Sequence, residues 1–211
     1  MIAGLASVES CELYQTTRYD CDFQDLSRVA SMMVLLEYMT TMEGPFWKQI
    51  RGQGLSYGYN ISQNVDTGFL TFSLSRSNSV LKAYQEAVSI IKDFEEGKEE
   101  FDELYVEAAR SSCVFTIIDK EQTPSDAATQ SFIGFLKGVE TRAILDNIGK
   151  VQIEDMMEAL KSVARLFDPA LSNTALVCNV SKVAEIVEGF RSTFGKEFQI
   201  VENLEDFFPP L

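Results

Sequence analysis

Apolar and polar positions along this chain follow two rhythms, and the rhythm changes at residues 43–58. Upstream, over residues 22–42, Leu26, Val29, Ala30, Met33, Val34 and Leu36 recur at the three-and-four spacing of a helix with one buried face. Asp20 and Asp22 stand where they can cap its start. Gly44 and Pro45 interrupt the pattern. Proline suits a first helical turn, where its missing N–H has no partner, so residues 45–50 read as a second short helix at a new angle, ended by Gly52. Downstream, over residues 55–63, Leu55, Tyr57, Tyr59 and Ile61 alternate with Ser56, Gly58, Asn60 and Ser62, the period of a half-buried strand. Asp66-Thr67-Gly68 supplies a turn, and residues 69–75 alternate again, which predicts a β-hairpin.

The rest of the chain extends this reading. Residues 5–17 read as one extended strand. Helices are expected over 79–95, 99–118, 124–137, 141–147, 153–167 and from the Ser181 cap to Gly195. Strands are expected over 175–180 and 198–201. The acids Glu99, Glu100, Asp102 and Glu103 suit the dipole of a solvated helix start. The tail Phe207-Phe208-Pro209-Pro210-Leu211 is an apolar segment for packing on the domain or on a missing partner. No Gly-, Pro- or Ser-rich linker and no internal repeat divides residues 1–211. The expectation is one α+β domain, a single mixed or antiparallel sheet packed on one face by several helices.

Composition narrows the function. With 211 residues, 15 Phe and 7 Tyr there is material for a core. A net charge of −14 argues against nucleic acid as a partner, which needs clustered Lys and Arg, and against an anionic membrane surface. No apolar run approaches the roughly 18 residues of a membrane span. The N-terminus shows no basic-then-apolar leader. Cys11, Cys21, Cys113 and Cys178 are widely spaced, as expected of free thiols in a reducing compartment: the cytoplasm, or a mitochondrion with its targeting segment missing. The sequence has no histidine. That removes Ser-His and Cys-His nucleophilic pairs and imidazole metal ligands, and no cysteine cluster offers zinc a substitute. No metal or cofactor is expected in this chain.

Acid pairs such as Glu154 and Glu158 fit solvated helix faces, and the methionines fall at core positions. Gly52, Gly54 and Gly58 superficially match a dinucleotide fingerprint, but they follow a helix and open a strand, the reverse of the required context. Arg51 and Tyr57 stand apart. A guanidinium at a helix end beside glycines can present a fixed fork of donors to a carbonyl or carboxylate, and a phenol six positions on can add another donor. Gly52, Gly54 and Gly58 would let a ligand or backbone approach. The plainer alternative is that Arg51 pairs with a nearby acid and Tyr57 belongs to the core.

Residues 43–58, Glu-Gly-Pro-Phe-Trp-Lys-Gln-Ile-Arg-Gly-Gln-Gly-Leu-Ser-Tyr-Gly, resemble the C-terminal-half signature of the insulinase/pitrilysin (inverzincin) zinc metallopeptidases, in the style of presequence-protease-like members. Ser7-Val8-Glu9-Ser10 also looks like the first strand of that domain type, and the order of elements fits over nearly the whole chain. The resemblance implies two homologous halves, four domains in all, closing like a clam around an unfolded peptide. The N-terminal half carries the zinc motif His-x-x-Glu-His, and an Arg and a Tyr come from the C-terminal half. Arg51 and Tyr57 would be that pair, binding the substrate carbonyl and stabilising its oxyanion. Without histidine the chain cannot hold the zinc motif, so it would not hydrolyse peptides alone. It is expected to be a fragment lacking the zinc half, its partners being that N-terminal half of the same polypeptide and a peptide substrate. A start at Met1 directly before a strand suits a cut chain. The alternative is a non-catalytic structural or core-subunit domain of the same fold.

Overall fold

A computed structural model describes residues 1–140 and 142–201. The tail expected to pack, 207–211, lies outside the described residues, as does Thr141, the first residue of one expected helix. Six strands form one mixed sheet: β1 (Ile2–Gly4), β2 (Cys11–Arg18), β3 (Ser56–Asn64), β4 (Phe69–Ser77), β5 (Ser172–Cys178) and β6 (Ile200–Val201), in the order β3-β4-β2-β5-β1-β6. β1 runs parallel to β5 and β6, and the other pairings are antiparallel. The predicted α+β class and the single sheet are what the structure has.

Of the expected strand over 5–17 only residues 11–17 are strand, within β2, and a separate strand, β1, lies before that range. β1 and β2 flank β5 on opposite sides, so the chain must step across it, and no continuous strand can do that. Residues 5–10, including Ser7-Val8-Glu9-Ser10, are the irregular crossing. It is tied down by Leu5 N–H to Cys178 O (2.9 Å) and by Asn179 Nδ2 to Val8 O (2.9 Å).

Seven α-helices are seen among the described residues: α1 (Leu26–Thr40), α2 (Val80–Glu95), α3 (Glu103–Asp119), α4 (Pro124–Lys137), α5 (Ala143–Ile148), α6 (Ile153–Ala164) and α7 (Val183–Phe194). Several begin later than their apolar pattern, because the capping side chain decides the first turn. Asp25, not Asp20 or Asp22, accepts the Arg28 N–H of α1. Asp102 accepts from Leu104 and Tyr105 in α3, and Asn179, not Ser181, caps the turn before α7. The last turn of the helix expected over 153–167 tightens into a 3₁₀ turn, Arg165–Phe167.

Alternation along β2 sets the layers. Cys11, Leu13, Gln15 and Thr17 are buried beneath the helices, while Tyr14 on the other face is exposed. Leu70, Phe72 and Leu74 of β4 and Leu176 and Cys178 of β5 continue the buried face. α1 lies across the core, contributing Met32, Val34, Leu35 and Met39, each fully buried. Phe72, Tyr84, Phe167, Phe190 and Phe194 interlock edge-to-face or, for Tyr84 and Phe190, tilted, at centroid distances from 4.8 to 6.2 Å. All four cysteines are free. Among the described residues no helix is long and apolar enough to cross a membrane.

Candidate functional site

The 43–58 segment turns the chain from the end of α1 into the edge strand β3. Glu43 takes a left-handed φ of 65°, and Pro45 opens the expected short helix. Phe46 and Ile50 bury completely, each contributing ~1.5–3 kcal/mol of transfer free energy, and the Phe46 ring stacks on Tyr59 at 6.2 Å. Trp47 is half-buried. From Trp47 to Arg51 the turns widen into a π-helix, in which the Gly52 N–H reaches Trp47 O at 2.7 Å. Such widened turns recur at functional positions because they displace one residue from the regular helical surface. Arg51 is the last residue of this π-helix, and its side chain is exposed.

The glycines after Arg51 differ in purpose. A Cβ at Gly52 would sit 2.8 Å from Lys48 O, so this glycine lets the helix end close on itself. Gly54 has φ +71°, a left-handed turn that a side chain would strain, and open space surrounds it. At Gly58 a Cβ would run into Ser75 Oγ on β4. Two of the three therefore have a packing reason within the fold, and Gly54 alone borders free space. Ser77 Oγ and the N–H groups of Asn78 and Ser79 all donate to Leu55 O, at 2.9, 3.1 and 3.2 Å, clamping the loop to the end of β4.

At this clamp the alternation of the sheet breaks on both strands. Along β4 the buried residues are Leu70, Phe72 and Leu74, then Ser77. Along β3 they run from Ile61 back through half-buried Tyr59 to buried Ser56. Each strand changes parity, so Tyr57 and Arg76 fall where no alternating position exists. The β2–β4 register shifts between Cys11 and Leu13, which makes the irregularity a β-bulge. Arg76 has φ 48°, and its N–H leaves the ladder to donate to Glu12 Oε1 at 2.9 Å. Tyr57, placed by simple alternation on the apolar face, is 58% exposed.

The bulge assembles a small cationic cluster. The Arg51 guanidinium carbon lies 4.7 Å from the Tyr57 ring centroid and that of Arg76 lies 5.2 Å from it, both cation–π contacts. Among the described residues, neither guanidinium has a carboxylate within ion-pairing distance. Burial pushes the Tyr59 phenol upward in pKa, and the Arg51 charge offsets part of that. The alternative placement, Arg51 in an ion pair and Tyr57 in the core, is not what the structure has. Arg76 was missed in the sequence; the one signal pointing to it is that its polar side chain falls on the otherwise buried parity of β4. A cleft of about 360 Å³ lined by Lys48, Gln49, Asp102 and Tyr105 lies nearby and includes neither Arg51 nor Tyr57.

The described residues offer zinc no ligand set. The sequence has no histidine, and among the described residues no group of three or more His, Cys, Asp or Glu side chains could hold a metal ion.

No protein-family model matches the chain. An uncharacterized protein of Caenorhabditis elegans is 29% identical over 194 residues, covering 90% of this chain and 19% of that protein. One from Saccharomyces cerevisiae is 28% identical over 195 residues, covering 89% and 18%. The chain thus spans about a fifth of the length of these curated relatives. Among solved structures, a protease from Helicobacter pylori matches with a TM-score of 0.67 at 10% identity, over 84% of this chain and 43% of that one. Pitrilysin matches with a TM-score of 0.62 at 11% identity, over 98% and 22%. A Bordetella parapertussis peptidase domain described as inactive matches with a TM-score of 0.65 at 13% identity, over 82% and 92%. At these identities the likeness is one of fold, and the fold is that of pitrilysin-like zinc protease domains.

Proposed function

We propose that this chain is the substrate-binding C-terminal domain of a zinc metalloendopeptidase whose metal resides on a different domain of a longer, four-domain clamshell polypeptide. Arg51 and Tyr57 would hold the carbonyl of an enclosed peptide and stabilise the oxyanion that forms from it. The observation that carries this reading is their pairing. Two residues from different elements meet at 4.7 Å, both exposed, with the guanidinium unspent on any carboxylate among the described residues. The peptidase fold of the neighbours and the fivefold greater length of the relatives support the rest. Four free thiols suit a reducing compartment.

The test is Arg51→Ala in the full-length protein, assayed on an unfolded peptide. Loss of an oxyanion donor lowers turnover by ~100-fold or more. Arg51 is exposed, so folding should be unaffected, and unchanged turnover would remove the role. A second reading, a structural domain of the same fold, draws on the peptidase domain described as inactive. It expects no peptidase activity in the full-length protein at all.

A further inference from the structure

The sequence pointed to one arginine beside Tyr57, and the structure has two. Arg76 is brought there by the irregularity in β4. On β4, Leu70, Phe72 and Leu74 fill the buried parity, and Arg76 is the next residue of that series. Without an irregularity its charge would be driven toward the core, where an unpaired ion is strongly disfavoured. The bulge resolves this by turning Arg76 out at a φ of 48°, where a non-glycine residue is strained, and Glu12 Oε1 takes up the freed N–H at 2.9 Å. The side chain is then laid over Tyr57, opposite it across the β3–β4 pair, between Ser56↔Ser77 and Gly58↔Ser75.

A charge of −14 makes this pairing of cations more notable chemically. An acidic ligand is repelled by the chain as a whole and needs a local positive seat. Arg51 and Arg76 share one phenol ring, and among the described residues no carboxylate, that of Glu12 included, lies within ion-pairing distance of either guanidinium fork.

We propose that Arg76 is a further binding residue of this site, which with Arg51 and Tyr57 seats a carboxylate of an extended peptide, so that the domain prefers peptides carrying an acidic group beside the bound carbonyl. This rests on the peptide-binding reading above and adds to it a ligand chemistry. The carboxylate has two sources, a Glu or Asp side chain or the C-terminus of the peptide.

Both sources are separated by titrating the 211-residue chain, at low ionic strength and by calorimetry or NMR, with three heptapeptides of otherwise identical sequence. The first is capped at both ends with a central Glu, the second is capped with a central Gln, and the third has the central Gln and a free C-terminal carboxylate. An exposed ion pair is worth up to about 1 kcal/mol, which is about fivefold in affinity. The wild-type chain should therefore bind one acidic peptide about fivefold tighter than the capped Gln peptide, and the winner identifies the source. Arg76→Gln should erase that preference, Arg76→Lys should keep part of it, and the gap should shrink as salt rises. Equal binding of all three peptides to the wild type, or a preference that survives in Arg76→Gln, overturns the inference. Arg51→Gln keeps the two claims apart: it should weaken every peptide. If it weakens none while Arg76→Gln still erases the preference, Arg51 loses both its carbonyl role and its share of the carboxylate seat, and the shared seat is overturned in favour of Arg76 alone. No binding by any peptide would overturn the carboxylate seat, while the carbonyl role of Arg51 is decided separately by turnover of Arg51→Ala in the full-length protein.

Discussion

Lys196 is only 6% exposed and no carboxylate is within ion-pairing distance of it among the described residues. Its Nζ donates to Gln15 Oε1 at 3.0 Å and Ser172 Oγ at 2.9 Å, and Gln15 in turn donates to Tyr84 Oη and Leu166 O. Burial lowers its pKa to about 8 from the usual 10.5, against a smaller opposing pull from Asp168. Between those two values the unfolded chain holds a proton that the folded chain has released, so this group's contribution to stability rises with pH from about 8 to 10.5 and is least favourable below 8. Lys196→Met should raise the urea midpoint at pH 7, since Thr174 Oγ1 still serves Gln15 Oε1 at 2.7 Å. The advantage of the variant should fade toward pH 10. Paired urea titrations of both proteins measure it, and a gap constant with pH would show that burial of the charge is not its cause. The difference between the two proteins isolates Lys196 from the buried thiols, whose raised pKa values act with the opposite sign.

Among the elements, α4 is the outlier. Thr123 caps it by accepting from Asp126 N–H at 3.2 Å and left-handed Gly138 ends it, yet none of its residues is buried and Phe135 is 81% exposed. α1, by contrast, is buried along most of its length. Opening α4 costs little packing, so its amides should exchange at least about 100-fold faster than those of central α1, as hydrogen exchange followed by mass spectrometry would show. Comparable protection would mean that α4 is held by contacts the structure does not give it. Its boundaries were nonetheless legible, because Pro124 and Gly138 are local signals. The hairpin was legible for the same reason. The β1–β2 crossing was not, because which strand lies beside β5 is decided by pairings between residues more than 150 positions apart. Tyr57 was assigned to the strand but to the wrong side of it, since the bulge that exposes it depends on β2 and β4 rather than on its own neighbours. The exposed helix-end position of Arg51 was legible because its surroundings are local: a proline, two buried apolar anchors and a glycine, all within residues 45–52.

At the scale of the molecule, the described residues share one core beneath a six-stranded sheet and carry an exposed cationic corner, and the chain spans about a fifth of the length of its curated relatives. Incubated with zinc and an unfolded peptide, it should release no fragments above the buffer control by mass spectrometry, because its residues offer the metal no histidine and, among the described ones, no ligand cluster. The corner itself has a consequence for how the sequence can change. The parity break is matched: one extra residue on β3 and one on β4, facing each other. A single-residue deletion in either strand alone would leave its partner out of phase and disrupt the edge. Deleting one residue from both would restore a regular sheet and return Arg76 to an ordinary strand position, away from the Tyr57 ring. The Arg76–Tyr57 contact therefore depends on two coupled irregularities, and it is lost cleanly only when both go together.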